Sequence, residues 1–335
     1  MRQLLLLLSV LSIILTVPIN SFSSEENFDY NYGLGILQLR SQSPAQSLRL
    51  TMPSIIPGAF KPGILGVHFG TTWTNVWVDS SEVSLDYEML DTHVAVSYGI
   101  NKRIGLCVAF DQRNYFGGAM DNFIQGFHDF FGIDQNGRDK IDRNLSRIIR
   151  YDDQGNIIFE TDNLNYLENN GISLISQYVL SHGTTNWPAI GVSGVLRYGV
   201  NTASSEDNHE PLDWSIGIGL SKRWADTWYT YSHLGYTSYG QTEMFGLEFK
   251  DDAISFMLAF AWQWKPYFSI LFQYLFSEGV VKDFGSLSDP SHEMDLGFKW
   301  QLSSGSIVEF ALIENVITFD NSPDFNLHLA LSHPF

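Results

Sequence analysis

From Gly63 onward the chain reads as a series of runs in which every second residue is large and apolar. Ile254, Phe256, Leu258, Phe260 and Trp262 share one parity, opposite Ser255, Met257, Ala259 and Gln263. Phe268, Ile270, Phe272, Tyr274 and Phe276 repeat the pattern. So do Trp214, Ile216, Ile218 and Leu220 against Ser215, Gly217, Gly219 and Ser221, and Met294, Leu296, Phe298 and Trp300 against Asp295, Gly297, Lys299 and Gln301. The final stretch does the same: Phe325, Leu327, Leu329 and Leu331 alternate with Asn326, His328, Ala330 and Ser332 before the aromatic Phe335. A period of two puts one face of an extended strand in an apolar medium and the other in a polar one.

The pattern predicts strands near 64–78, 83–99, 103–115, 171–182, 187–199, 213–222, 226–238, 252–264, 267–277, 291–302, 305–314 and 324–335. Those near 83 and 226 alternate less cleanly, which leaves their register open. Soluble strands average about five or six residues, whereas tilted membrane strands need about nine to eleven. Connections at Ile100–Lys102, Gly183–Asn186, Arg223–Ala225, Lys265–Pro266 and Ser303–Ser304 are short; those between them are longer, with Asp79–Glu82 the exception. Short turns on one side and long loops on the other are the rhythm of an outer-membrane barrel. The fold class expected is therefore all-β: a transmembrane antiparallel up-and-down β-barrel of about 12 strands, over residues 63–335. A strand closing on an aromatic residue resembles the last strand of such barrels, where it carries the insertion signal, and this assigns that role to Phe335.

Residues 1–23 fit a secretory signal peptide. Arg2 precedes an apolar stretch from Leu4 to Val17, too short to span a bilayer, and Ser21 and Ser23 place cleavage after Ser23. Residues 24–62 read as a periplasmic lead-in that tucks into the barrel mouth, or as a loose tether; Pro44, Pro53, Pro57 and Pro62 disfavour a central strand or a long helix there.

The insertion at 116–170, between the third and fourth wall strands, breaks the rhythm. Met120, Phe123, Ile124, Phe127 and Phe130 or Phe131 recur at helical spacing, and Gly132 suits a C-cap. An amphipathic helix is expected, followed by a charged run through Arg150 and a hairpin turn at Asp153–Asn156. It serves either as a plug over the lumen or as a cap at the membrane surface.

Gly126-Phe127-His128-Asp129-Phe130-Phe131-Gly132, then Asn136-Gly137-Arg138-Asp139, with Arg143 and Tyr151, resembles the bacterial family called domain of unknown function 3187. The likeness covers most of the chain after about Leu39 and is sharpest from Leu90 to Gly155. Arg40-Ser41-Gln42-Ser43-Pro44 looks like that family's Arg- and Asn-rich, Pro-containing start, with Ser at the Asn positions. The resemblance implies an outer-membrane barrel and no particular activity.

Composition narrows the partners. With 19 Lys and Arg against 37 Asp and Glu, the formal charge is −18, which disfavours a nucleic-acid partner. Acidic loops suit solubility at the tips or bridging to lipopolysaccharide through divalent cations. The other partners expected are outer-membrane lipids, the barrel-assembly machinery and a small solute. Aromatic residues at 14% and 28 glycines fit interfacial girdles and lipid-facing strands. One cysteine, Cys107, excludes an internal disulfide framework. Tyr231-Ser232-His233 and Ser291-His292-Glu293 put hydroxyls beside imidazoles, but neighbours on a strand point to opposite faces. No enzyme, cofactor or metal centre is expected. If the apolar face meets lipid, Asp111, Arg113, Arg197, Asp295, Lys299 and Glu309 line the lumen, either setting a transverse field for polar solutes or cross-linking a filled barrel. The expected function is a channel or transporter for small solutes, partly closed by the helical loop. The alternatives are a structural or receptor barrel without transport, or an outer-membrane lipid-modifying enzyme.

Overall fold

The computed structural model describes residues 31–117, 146–164, 169–202, 212–244, 247–315 and 325–335, with positions 120, 126, 317, 321 and 323. In chain order the strands are β1 (Leu65–Asp79), β2 (Val83–Gly99), β3 (Ile104–Phe116), β4 (Arg147–Tyr151), β5 (Ile157–Thr161), β6 (Asn169–Ser181), β7 (Ala189–Thr202), β8 (Leu212–Arg223), β9 (Trp228–Ser238), β10 (Glu243–Met244), β11 (Leu247–Glu248), β12 (Asp252–Lys265), β13 (Phe268–Ser277), β14 (Ser291–Gln301), β15 (Ile307–Asn315) and β16 (Phe325–Pro334). Fourteen of them form one antiparallel sheet. Because β1 pairs with both β16 and β2, the twelve long strands close into a barrel, and β4 and β5 add to it at one rim. Closure leaves the wall with no unpaired edge, the condition for crossing a bilayer with strands.

The alternation sorts as the sequence predicts. On β14, Asp295 and Lys299 are buried while Leu296 and Trp300 are exposed; on β12, Met257 and Ala259 are buried while Ile254 and Phe260 are exposed. Register is also fixed where the sequence left it open: Tyr229, Tyr231, His233 and Thr237 of β9 face inward, as do Asp91 and Ala95 of β2. Leu106, Val108, Phe110, Ile218, Leu234, Phe272 and Leu329 add to the outward apolar belt. Trp187, Trp224, Trp228, Trp264, Tyr267 and Trp300 ring the short-turn end, where Trp228 stacks on Trp262 at 6.0 Å. An apolar belt bounded by an aromatic girdle is the surface of a barrel that sits in lipid. No described helix is long and apolar enough to cross a membrane.

At the long-loop end β1 and β2 run past their neighbours. Where β3 ends opposite Glu88, the free edge of β2 takes up β4 along Val83–Asp86. The inward residues of this extension, Val76, Val78, Val83, Leu85 and Tyr87, join Ile148, Leu164 and Leu287 in one apolar cluster over the barrel. The turn joining β4 to β5 is the hairpin read from the sequence: Asp152 accepts from the backbone N–H groups of Gln154 and Asn156, and Gly155 takes φ +77°. Hydrogen bonds from Asn156 hold the Asp152 carboxyl below its usual range.

The helix expected between the third and fourth wall strands lies outside the described residues, apart from Met120 and Gly126. Met120 packs on the outside of the wall, in a cluster with Phe325, Trp73, Leu312 and Leu327. Its backbone N–H donates to Glu88 Oε1 at 2.6 Å, while Trp73 Nε1 donates to Glu88 Oε2 at 2.5 Å. Met120, four residues after β3 ends at Phe116, is thus fastened to the outer face. The signal peptide and its cleavage site also lie outside the described residues.

A charge in the middle of the outward belt should therefore be costly. Leu296→Arg is expected to lower folding free energy in lipid vesicles by about 2–4 kcal/mol, measured by urea titration. Ser304→Arg, in an exposed turn, should leave it within about 0.5 kcal/mol.

Candidate functional site

The site is the barrel interior, and the segment before β1 occupies it. Residues 31–62 enter at the short-turn end, climb to the long-loop end, turn, and return to begin β1. At the entry Asn31 Nδ2 donates to the His182 carbonyl at 3.1 Å, and Tyr32 Oη lies 2.6 Å from His182 Nδ1. Burial, reinforced by Arg103 and Lys102, holds the His182 imidazole below its ordinary value. Higher up, the backbone of an irregular strand without sheet partners is met by wall side chains. Tyr231 Oη donates to Tyr32 O at 2.8 Å, Lys299 Nζ to Ile36 O at 2.7 Å, and Gln273 Nε2 to Leu37 O at 3.2 Å. In turn the Gln38 N–H donates to Glu309 Oε2 at 3.1 Å, and the Gln42 N–H to Glu293 Oε2 at 3.0 Å. Apolar positions of the ascending arm, Ile36, Leu37 and Leu39, pack with Met257, Ala259, Leu271 and Ala311 of the wall.

Arg40-Ser41-Gln42-Ser43-Pro44 lies in the upper half of this path. Arg40 hydrogen-bonds Asp91 and reaches Asp111 at 3.4 Å. Ser41 Oγ donates to Glu293 Oε1 at 2.5 Å, and the Gln42 side chain bridges Asp91 and Thr74. A 3-10 turn at Gln46–Leu48 reverses the chain, with Gln46 Nε2 donating to the Glu278 carbonyl at 3.2 Å. On the way down Arg49 pairs with Asp213 at 3.3 Å and stands 4.3 Å over the Tyr239 ring. Met52 then packs against Gly235, Gln177 Nε2 donates to Ile56 O at 2.7 Å, and Pro62 bridges Gly99. Close approach explains the glycines here. A Cβ on Gly219 would meet the Ile55 carbonyl at 2.3 Å, and one on Gly105 would meet Phe60 at 2.4 Å.

The structure places Asp111, Arg113, Arg197, Asp295, Lys299 and Glu309 on the inward parity of the wall, all buried. Five are engaged in ion pairs: Arg197 Nη2 with Asp111 Oδ2 at 2.9 Å, Lys299 Nζ with Glu309 Oε1 at 3.0 Å, and Arg113 Nη2 with Asp91 Oδ2 at 3.7 Å. The sixth, Asp295, is fully buried with Gln273 opposite it across the strand pair. The charges therefore knit the inner segment to the wall. Sequence reasoning did not place Asp91, Glu293, Arg40 or Arg49 in the lumen, because their partners are distant in sequence. Gly126 is exposed with open space around it. Phe127, His128, Asp129, Gly132, Gly137, Arg138 and Asp139 lie outside the described residues. Phe335 is exposed, and its N–H donates to the Leu65 carbonyl at 2.8 Å, beside the seam between β16 and β1. Ser232 and His233 face opposite ways, as do His292 and Glu293. Ser193 Oγ lies 3.4 Å from His233 Nε2, with no carboxylate on that ring among the described residues. Nor do the described residues hold a group of three or more His, Cys, Asp or Glu placed to take a metal ion.

Compared with known families, residues 9–335 match the model described as "Protein of unknown function (DUF3187)". The chain belongs to this family. Its fold is similar to that of the COG4313 outer membrane channel from Pseudomonas putida F1, with a TM-score of 0.53 and 11% identity over 84% of this chain and 100% of that one. The CymD monoaromatic hydrocarbon channel is a looser match, with a TM-score of 0.43 and 10% identity over 92% of this chain and 98% of that one. The KdgM porin is equally loose at 0.43, with 8% identity over 81% and 99%. No curated protein matches the chain. The first likeness supports the closed twelve-stranded barrel of this DUF3187 protein, and the two looser ones carry no argument.

Arg40 holds two buried carboxylates, so its removal should loosen the segment specifically. Arg40→Ala is expected to cost about 3–5 kcal/mol, because it leaves Asp91 and Asp111 undercompensated. Hydrogen exchange at the Gln38 and Gln42 amides should speed up while the strand amides stay protected.

Proposed function

We propose that this barrel is an outer-membrane channel or transporter for small solutes, closed at rest by its own inner segment. The short-turn end faces the periplasm and the long-loop end the exterior, where acidic loops meet lipopolysaccharide. Export through a cleaved signal and insertion by the barrel-assembly machinery belong to the same reading.

The observation that carries it is the chemistry of the contact between segment and wall. Ion pairs and side-chain bonds to backbone groups hold residues 36–49 in place. Buried ion pairs stabilise less than apolar packing of the same volume, because desolvation offsets their attraction. A barrel filled for rigidity alone would be better served by an apolar core. A polar seat, by contrast, exchanges its partners for water when the segment leaves, and the vacated lumen is then lined by acids and bases suited to polar solutes. The insertion, expected from sequence to close the lumen, has no support for that role in its described residues.

Gly35 and Ile56 lie close together, with the Ile56 side chain 3.6 Å from the Cβ position of Gly35. Residues 36–55 can therefore be replaced by a short Gly-Ser linker. In planar bilayers the parent should be closed with rare brief openings, and the linker variant should conduct steadily. A variant that still shows heat-modifiable gel migration yet stays silent would refute transport and leave a structural or receptor barrel.

A further inference from the structure

Three imidazoles of the wall gather beside the ascending arm. His68 of β1, His93 of β2 and His328 of β16 stand around Gly70, which pairs with His93 on one side and with Ala330 on the other. The His68 and His93 ring centroids are 5.5 Å apart. A Cβ on Gly70 would lie 3.0 Å from His68 Nε2 and 3.5 Å from His328 Cε1, so the missing side chain is what lets the rings converge. One nitrogen of two rings is already committed: His68 Nδ1 to Ser332 Oγ and His328 Nδ1 to Thr72 Oγ1, both at 2.9 Å. The other, Nε2, is buried without a partner in each.

We infer that this histidine cluster makes the seat of the inner segment acid-labile, so that proton uptake releases the segment from the lumen. The inference rests on the segment being the closing element, as proposed above. A neutral imidazole leaves one buried nitrogen unfilled at modest cost. An imidazolium must bury an N–H donor with no acceptor, which costs much more.

The charged groups facing the cluster are Arg40 of the segment, Asp91 of β2, Asp111 of β3, Lys299 of β14 and Glu309 of β15. Its acids are already taken: Asp91 by Arg40 and Gln42, Asp111 by Arg197 and Arg40, and Glu309 by Lys299 and the Gln38 N–H. Arg40 and Lys299 add to the repulsion. Once the segment leaves, water supplies acceptors, so the open state binds more protons and falling pH favours it.

The test uses the full chain in nanodiscs with Cys107→Ala, His182→Gln and Ala45→Cys. Ala45 is buried at the top of the segment. His182→Gln removes the imidazole that Tyr32 of the segment touches. Labelling of Cys at 45 by a membrane-impermeant maleimide is normalised at each pH to a Ser304→Cys control. Between pH 7.5 and 5.0 the normalised rate should rise about tenfold, one decade for a net uptake of one proton over one pH unit. Adding His68→Gln, His93→Gln and His328→Gln should flatten it. A flat rate in the starting protein, or an equal rise in the triple-Gln protein with heat-modifiable migration intact, overturns the inference. If labelling follows acid while conductance of the same protein does not, the seat switches as inferred and the transport reading is what fails.

Discussion

The structure depends on one constraint: a closed barrel of twelve strands encloses a lumen that water or protein must fill. Here backbone fills it, and among the described residues that backbone joins the wall as a sheet partner only where Pro62 bridges Gly99. Each N–H and C=O placed there needs another donor or acceptor, since an unpaired buried polar group costs about 1–3 kcal/mol. Wall side chains meet that need. Lys299, Gln273, Gln177 and Tyr231 donate to carbonyls of the inner segment, while Glu293 and Glu309 accept from its amides. The inward wall carries Asp91, Asp111, Asp213, Glu293, Asp295 and Glu309 against Arg113, Arg197 and Lys299. Arg40 and Arg49 of the segment supply cations that the wall itself is short of.

The barrel was legible in the sequence because lipid imposes a strict rule on one face. Within the lipid belt the outward residues of β12, β13 and β14 are large and apolar or aromatic, from Ile254 to Trp264, Phe268 to Phe276 and Met294 to Trp300, so a period of two persists for seven to eleven residues. The turns are local and equally readable. Gly305, with φ +86°, closes the tight turn at Leu302–Ser306, where the sequence places a short connection.

That the lead-in enters the barrel mouth was one of two readings open from sequence; how far it fills the lumen, and on which partners, was not legible, for physical reasons. Residues 31–62 obey no lipid and no regular ladder, so they show no period. Their four prolines rule out a central strand without saying where the chain goes. Their partners lie far along the sequence: Ser41 meets Glu293 across 252 positions, and Gln38 meets Glu309 across 271. One signal was present. Arg40-Ser41-Gln42-Ser43-Pro44 is dense in hydrogen-bonding groups, and the inward faces show an excess of acid that needs cations. Among the described residues, the cation that reaches Asp111 from outside the wall is Arg40.

The inner segment lies inside the barrel, and a cross-link reads this directly. Met52 Cβ lies 2.7 Å from the Cβ position of Gly235, so a small shift brings the pair to the roughly 3.8 Å that a disulfide prefers. Leu234, the next residue on β9, points to lipid and is half-exposed. In a Cys107→Ala background, Met52→Cys with Gly235→Cys should oxidise to a near-complete intramolecular disulfide, seen as a shift in gel mobility. Met52→Cys with Leu234→Cys should stay reduced. Cross-linking to position 234 and not to 235, or to neither in a folded barrel, would contradict a segment inside the lumen.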